Sequence, residues 1–190
     1  MLINMVLPGA AGSAEEPFAF EYSGNFTDNR VDGIGTVRLN TSGTLVTTGQ
    51  TVKVTVYILA GGGGAAYSSR SSRTASGGGG GNQTIEVELT PGTYEIVIGT
   101  GGTELNTSGT GTAGAGGNTT AFDKTSTGGT GGTTGTNAST TIAGVGGSPN
   151  GGNGSTNYNT TAAGGAPNGG TANKNDPQPG GDGYVDLTFS

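Results

Sequence analysis

Between residues 18 and 98, apolar and polar positions alternate with a period of two, the pattern of strands that bury one face. Phe18, Phe20 and Tyr22 alternate with Ala19 and Glu21, and Val52, Val54, Val56 and Ile58 alternate with Lys53, Thr55 and Tyr57. Ile85, Val87 and Leu89 alternate with Glu86 and Glu88, the turn-forming run Thr90-Pro-Gly-Thr93 follows, and Tyr94, Ile96 and Ile98 resume the alternation. This predicts a β-hairpin. Weaker strands are expected at 35–39 and 44–47, and a last one where Val185, Leu187 and Phe189 alternate with Tyr184, Asp186 and Thr188. No segment carries helical periodicity of useful length. The last strand is not stable alone and is expected to pair with the earlier ones. The predicted fold class is therefore all-β. A small antiparallel β-sandwich (18–98 plus 183–190) follows an N-terminal arm (1–17) and is interrupted by a long insertion (99–182).

The insertion has its own chemistry. All but seven of the 43 glycines lie between Gly61 and Gly183, among Thr, Asn and Ala, and the bulky residues available as apolar pins are Leu105, Phe122, Ile142, Val145 and Tyr158. Glycine loses more backbone entropy on ordering than any other residue, so order there needs a compensating interaction. Side-by-side polyproline II helices supply one: without side chains, backbones approach closely enough to hydrogen-bond to one another. The doublets Gly101-Gly102, Gly116-Gly117, Gly128-Gly129, Gly131-Gly132, Gly146-Gly147, Gly151-Gly152, Gly164-Gly165 and Gly169-Gly170 would mark the close rungs, with Asn, Pro and Thr making turns. Glycine does not recur strictly every third residue, so this is not collagen.

Composition narrows the function. With no cysteine or histidine, disulfides, thiolates and imidazoles are unavailable. The net charge is −6 and the basic residues Arg30, Arg38, Lys53, Arg70, Arg73, Lys124 and Lys174 are scattered, leaving no stripe to neutralise phosphates, so a nucleic-acid role is not expected. No apolar run approaches the about 20 residues of a membrane span. The apolar start, with Leu2, Ile3, Val6 and Leu7, lacks a positive n-region and reads as an arm for assembly with other subunits.

Candidate chemistry is thin. Glu86 and Glu88 form a close carboxylate pair on one strand face, read as a solvated face rather than an acid–base pair. Gly61 to Gly64 follows a strand as a phosphate loop does, but no Gly-Lys-Ser/Thr follows. Asn173, Asn175, Asp176 and Asp182 carry oxygen ligands, yet their spacing fits no calcium loop and turn formation explains them. No catalytic group, metal or cofactor is expected. Tyr67, Arg70 and Arg73, in a loop between two glycine runs, and Tyr158, in an Asn/Thr loop, are receptor-binding candidates, because aromatic and Arg side chains on rigid loops give large contacts at low entropy cost. The competing reading makes Tyr67 and Tyr158 pins for the glycine layers. Eight Asn-X-Ser/Thr sequons (Asn25, Asn40, Asn82, Asn106, Asn118, Asn137, Asn153, Asn159) are glycan acceptors or simply polar turns.

Several runs resemble a known family. Val52-Lys-Val-Thr-Val-Tyr-Ile-Leu-Ala-Gly-Gly-Gly-Gly64, the cluster Gly77 to Gly81, and Thr90-Pro-Gly-Thr-Tyr-Glu-Ile-Val-Ile-Gly-Thr-Gly-Gly102 resemble the glycine-rich domain of bacteriophage tail and tail-fibre proteins. Gly116-Gly-Asn-Thr-Thr-Ala-Phe122 is similar to its GG.TSAFG element, and Gly180-Gly-Asp-Gly-Tyr-Val-Asp-Leu-Thr-Phe189 to its closing strand. Similar in glycine character, though not alignable by motif, are the tip adhesins of T-even phage long tail fibres, in which packed glycine helices carry receptor-binding loops. The resemblance implies a non-enzymatic protein at the virion surface, or extracellular, that binds a host surface glycan or protein. Its partners would be other virion subunits, with homo-oligomerisation expected. The insertion is shorter and richer in Thr and Asn than is usual in the family, and the chain is expected to be a separate subunit without a fibre shaft. A purely structural subunit, a decoration protein or filament repeat, is the alternative expectation.

Overall fold

A computed structural model describes residues 3–4 and 16–190. The strands in the first third are β1 (Ile3–Asn4), β2 (Ala19–Tyr22), β3 (Phe26–Asp28), β4 (Gly35–Leu39), β5 (Gly43–Thr48) and β6 (Val52–Leu59). They are followed by β7 (Ala66–Ser68), β8 (Arg73–Ala75), β9 (Asn82–Leu89) and β10 (Gly92–Ile96). The glycine-rich stretch holds only short strands: β11 (Leu105–Thr107), β12 (Gly111–Thr112), β13 (Thr119–Ala121), β14 (Lys124–Ser126), β15 (Thr133–Thr134), β16 (Thr156–Tyr158), β17 (Ala172–Asn173) and β18 (Asp176–Pro177). The chain then closes with β19 (Tyr184–Phe189).

Two antiparallel sheets, ordered β1-β2-β5-β10 and β3-β4-β19-β6-β9, enclose the apolar core. The faces expected from the period-two pattern are the buried ones: Phe20, Tyr22 and Ile96 from the first sheet meet Val54, Val56, Ile58, Val185, Leu187 and Phe189 from the second, and Leu45, Val37 and Leu39 of the weaker strands join them. Each such side chain contributes about 1.5–3 kcal/mol by leaving water. The last strand is central, with β4 on one side and β6 on the other.

The hairpin expected across Thr90–Thr93 does not form. β9 pairs with β6 over the whole register from Val52↔Leu89 to Leu59↔Asn82, and β10 pairs with β5 in the opposite sheet. Pro91-Gly92 does reverse the chain, but the link crosses between the sheets, held by the Thr47 hydroxyl donating to the Thr90 carbonyl and by Tyr94 OH on Thr90. The reason is packing: the apolar residues of β9 and β10 face each other across the core instead of sharing one sheet face. Turn chemistry fixes where a chain reverses, not which sheet it then enters.

Residues 60–65, which continue β6, have no strand partner. Their N–H groups bond in a cycle of three. Ala60 and Gly63 donate to Gly81 and Gly78, Gly61 and Gly64 to Gly117 and Gly114, and Gly62 and Ala65 to Gly181 and Gln178, all at 2.8–3.0 Å. Every third residue thus addresses the same antiparallel neighbour, the threefold screw of polyproline II. The carbonyls do the same with parallel neighbours: Gly61 and Gly64 accept from Gly129 and Gly132, and Gly62 and Ala65 from Gly102 and Leu105. Segment 76–81 repeats the scheme, Ser76 and Gly79 donating to Ser155 and Gly152, and Gly78 and Gly81 to Thr130 and Thr127. These two helices form the axis of a bundle.

That arrangement changes two expectations. Residues 60–81 were expected within the sandwich, but 60–65 and 76–81 form the axis of the bundle and 66–75 its β7–β8 hairpin; at Gly61 to Gly64 and Gly77 to Gly81 only a backbone without Cβ can be so closely ringed by others. The apolar pins are also mostly absent: Ile142, Val145 and Tyr158 are 58%, 57% and 64% exposed, while Leu105 and Phe122 are half-buried. Backbone fills most of the interior, with Tyr67 and a small cluster of Ala65, Ala162 and Ala172 among the few buried side chains. A Cβ on Gly63 would lie 2.0 Å from the Thr130 carbonyl oxygen, and one on Gly131 would lie 2.0 Å from that of Ala113. No bundle glycine has a left-handed φ, so glycine is required there for close approach rather than for turning.

Asn168 seals the seam with the sandwich. Its Nδ2 donates to the carbonyls of Ala60, Gly181 and Asp182 (3.0, 2.9 and 3.1 Å) and its Oδ1 accepts from Gly80 N–H (2.8 Å).

Candidate functional site

The bundle carries five loops at the end away from the sandwich: 69–72, 107–110, 135–141, 158–161 and 173–176. Hairpin β7–β8 is central, with β11 parallel to β7 and β16 antiparallel to β8. Hydrogen bonds lock the loops together. Ser69 N–H donates to Thr107 O (2.8 Å), Ser71 Oγ to Gly135 O (2.7 Å), Asn159 N–H to Ser72 O (2.8 Å), Asn106 Nδ2 to Asn175 O (3.2 Å) and Lys174 Nζ to Asn159 Oδ1 (2.7 Å). Ser72, Asn159 and Asn175 turn through left-handed conformations, φ 51°, 57° and 64°, and Asn tolerates these well.

The structure separates the four receptor-binding candidates. Arg70 is exposed at the turn, and the Arg73 guanidinium lies over the exposed Tyr158 ring, 5.2 Å from its centroid, because the register of β8 and β16 sets these two residues opposite each other. Tyr67 corrects the expectation. It is 2% exposed in β7, beneath the loops, where it packs as a pin. The segment from Ala65 to Ser76 is a hairpin whose first strand is covered on both faces, with Ala66, Tyr67 and Ser68 all buried.

The tip also holds residues that sequence reasoning missed: Lys174 and the loops 107–110 and 135–141. Their turn-forming Asn, Gly and Ser were the available signal. Three of the seven basic residues, Arg70, Arg73 and Lys174, cluster here, and the only acidic residue within the five loops is Asp176, on a chain of net charge −6.

Other candidates fall elsewhere. Gly61 to Gly64 is walled in by backbone, which leaves no room for a phosphate. Asn173, Asn175 and Asp176 lie at the tip, but Asp182 accepts from Gly101 N–H at the opposite end of the bundle. Glu86 and Glu88 are exposed, bonded to Thr55 and paired with Lys53. The sequon asparagines have mixed roles: Asn118 and Asn153 accept from Gly128 and Gly146 N–H across the bundle, Asn137 caps the 3-10 turn Ala138–Thr140, and Asn82 and Asn106 lie in β9 and β11. Of the arm, Leu2, Val6 and Leu7 lie outside the described residues, while Ile3–Asn4 adds to the edge of β2. No helix among the described residues is long and apolar enough to cross a membrane.

The sandwich's outer face is held by a separate polar cluster. Arg38 forks onto Asp186 (2.8 and 2.7 Å) and stacks 3.7 Å from the Tyr184 centroid. The hydrogen-bonded carboxylate raises the Arg38 pKa, and burial raises that of neighbouring Tyr57. Near the pole opposite the tip, Arg30 bonded to Asp28 holds that carboxyl below its ordinary range.

The sandwich strands from Leu39 onward, the glycine bundle and its tip coincide with the span of one known family: the glycine-rich domain matches residues 39–190. The chain belongs to the glycine-rich domain family. A comparison with curated proteins finds no match. In this glycine-rich domain, β1, β2, β3 and all of β4 but Leu39 lie before the matched span yet belong to the two sheets.

Proposed function

We propose that this glycine-rich domain is a non-enzymatic recognition module of a virion surface, associated with a phage tail or tail fibre, and that its tip loops bind the host cell surface. The observation that carries the reading is the set of five interlocked loops, held on a bundle whose backbone hydrogen bonds leave it little freedom. Such a platform gives up little entropy on binding. The surplus of Arg and Lys at the tip favours an anionic target such as an acidic surface glycan, with the Arg73–Tyr158 stack offering a flat ring for a sugar face. The placement in a virion rests on the sequence resemblance.

A second reading, a purely structural subunit, is favoured by the opposite pole. There the turn 31–34 exposes Val31 (74%) and Ile34 (59%), and the arm strand β1 adds to a sheet edge. The two readings are compatible if that pole docks and the tip binds.

The test is an Arg70→Ala/Arg73→Ala/Tyr158→Ala triple variant. Anchor residues of this kind cost about 2 kcal/mol each when truncated, so adsorption to host cells should fall by at least about 100-fold. Stability should change little, since exposed substitutions cost about 0.5 kcal/mol or less. Unaltered adsorption would overturn tip recognition, and lost assembly with no separate adsorption defect would favour the structural reading.

A further inference from the structure

The sandwich is open along one flank, where β9 and β10, the edge strands of the two sheets, run side by side. The cleft between them has a volume of about 820 Å³. Its floor is apolar: Ile85, Val87, Tyr94 and Phe122 pack against the core but stay only half-buried, and Val97 is 42% exposed. Hairpin β13–β14 closes one end. Its two-residue turn sets Phe122 (φ 50°) and Asp123 (φ 57°) in the left-handed region, and the Phe122 ring lies 5.4 Å from that of Tyr94. A bulky residue is disfavoured in that conformation, so the turn gives up backbone stability to keep an aromatic ring in this cleft.

Beyond Asn82, whose N–H goes to Pro149 O, residues 83–89 make no main-chain hydrogen bond on the side away from β6 among the described residues. The backbone edge of β9 is therefore free. The surrounding charge is negative: Glu86, Glu88, Glu95 and Asp123 line the cleft, with Lys124 as the single cation in the lining.

We propose that this cleft is a second binding site, which takes an extended segment of a partner protein as an added strand on β9. Strand geometry dictates the segment's composition. Alternate side chains point inward onto Ile85, Val87 and Phe122 and must be apolar, while those between them lie beside Glu86 and Glu88 on the outer face and are Lys or Arg. The occupant is not the same edge of a second copy. Pairing β9 with β9 brings Glu86 and Glu88 of the two copies together, and like charges directly opposite are destabilising.

The experiment titrates the isotope-labelled protein with a blocked heptapeptide alternating valine and lysine, and in parallel with its valine/glutamate counterpart, following amide shifts by NMR. The lysine peptide should bind about tenfold more tightly, as two favourable cross-strand charge pairs give. Its perturbations should be confined to β9, β10 and the β13–β14 turn. Glu86→Lys/Glu88→Lys, on the exposed row, should reverse the preference, and Val87→Lys should abolish binding of both peptides. The tip triple variant should bind the lysine peptide unchanged, which separates this site from the recognition surface. Equal affinity for the two peptides, shifts mapping to the tip or the outer sheet face, or an unreversed preference in the Glu86→Lys/Glu88→Lys variant would overturn the proposal.

Discussion

In the sandwich the buried atoms belong to side chains, and in the bundle they belong to peptide groups. Val56 and Leu187 are fully buried among other apolar side chains, whereas Gly61 to Gly64 are as deeply buried among carbonyls and N–H groups. The sandwich is stabilised by apolar area, which tolerates some repacking. The bundle relies on many main-chain hydrogen bonds, each worth about 1 kcal/mol net, that form only if neighbouring backbones come into contact. One region should therefore be weakened by removing atoms and the other by adding them.

The sharpest way to break this comparison is to add atoms to the bundle. Gly63→Val places a Cβ against the Thr130 carbonyl on the central axis and should cost more than about 4 kcal/mol, seen as loss of soluble protein or collapse of the denaturant midpoint. The double substitution Gly131→Val/Gly132→Val, with Cβ positions 2.0 and 2.2 Å from carbonyl oxygens, should act alike. Gly109→Ala is the control: nothing lies within 4 Å of its Cβ position, and stability should stay near that of the parent. Full stability of the Gly63 variant would mean that the packing described here does not hold in solution.

Removing atoms from the sandwich should have the next largest effect. Leu187→Ala deletes a fully buried side chain from the central strand and should lower unfolding free energy by about 2–5 kcal/mol in a denaturant melt, leaving a folded protein if the parent is stable enough.

The smallest effect is a pH dependence confined to the sandwich. Burial pushes the Tyr22 hydroxyl from its ordinary 10.0 up to about 12. The folded pKa lies above the unfolded one, so its contribution is complete below pH 10 and is lost as pH rises through about 12. Stability of the parent should fall across that window more steeply than that of Tyr22→Phe, measured by thermal melts at stepped pH. Identical slopes would place Tyr22 in water.

Much of the tip could be anticipated from the chain, but not all of it. Arg70 stands between two glycine runs, so its exposure at a turn was legible, whereas Arg73 and Tyr158 lie at the ends of the paired strands β8 and β16 rather than in loops. The burial of Tyr67 was not legible, because β7 is covered on both faces and so carries no apolar–polar alternation that would mark it. Nor was the gathering of Lys174 with Arg70, since their segments meet only through the bundle's hydrogen bonds.

What the sequence determined by itself was the longer sandwich strands β2, β6, β9, β10 and β19 and the inward face of each, because side chains alternate along a strand whatever its partners. It also determined that the glycine segment can order only through backbone contacts, since it has almost nothing else to bury. Tertiary structure alone decided which strands pair. It sent β9 and β10 into opposite sheets, drew residues 60–81 out of the sandwich with 60–65 and 76–81 as the bundle's axis, and chose which glycine run touches which. The physical reason is that peptide groups are identical in every residue: a glycine run specifies that it will be surrounded by backbone, but only the competition of all segments for the same hydrogen bonds selects its neighbours.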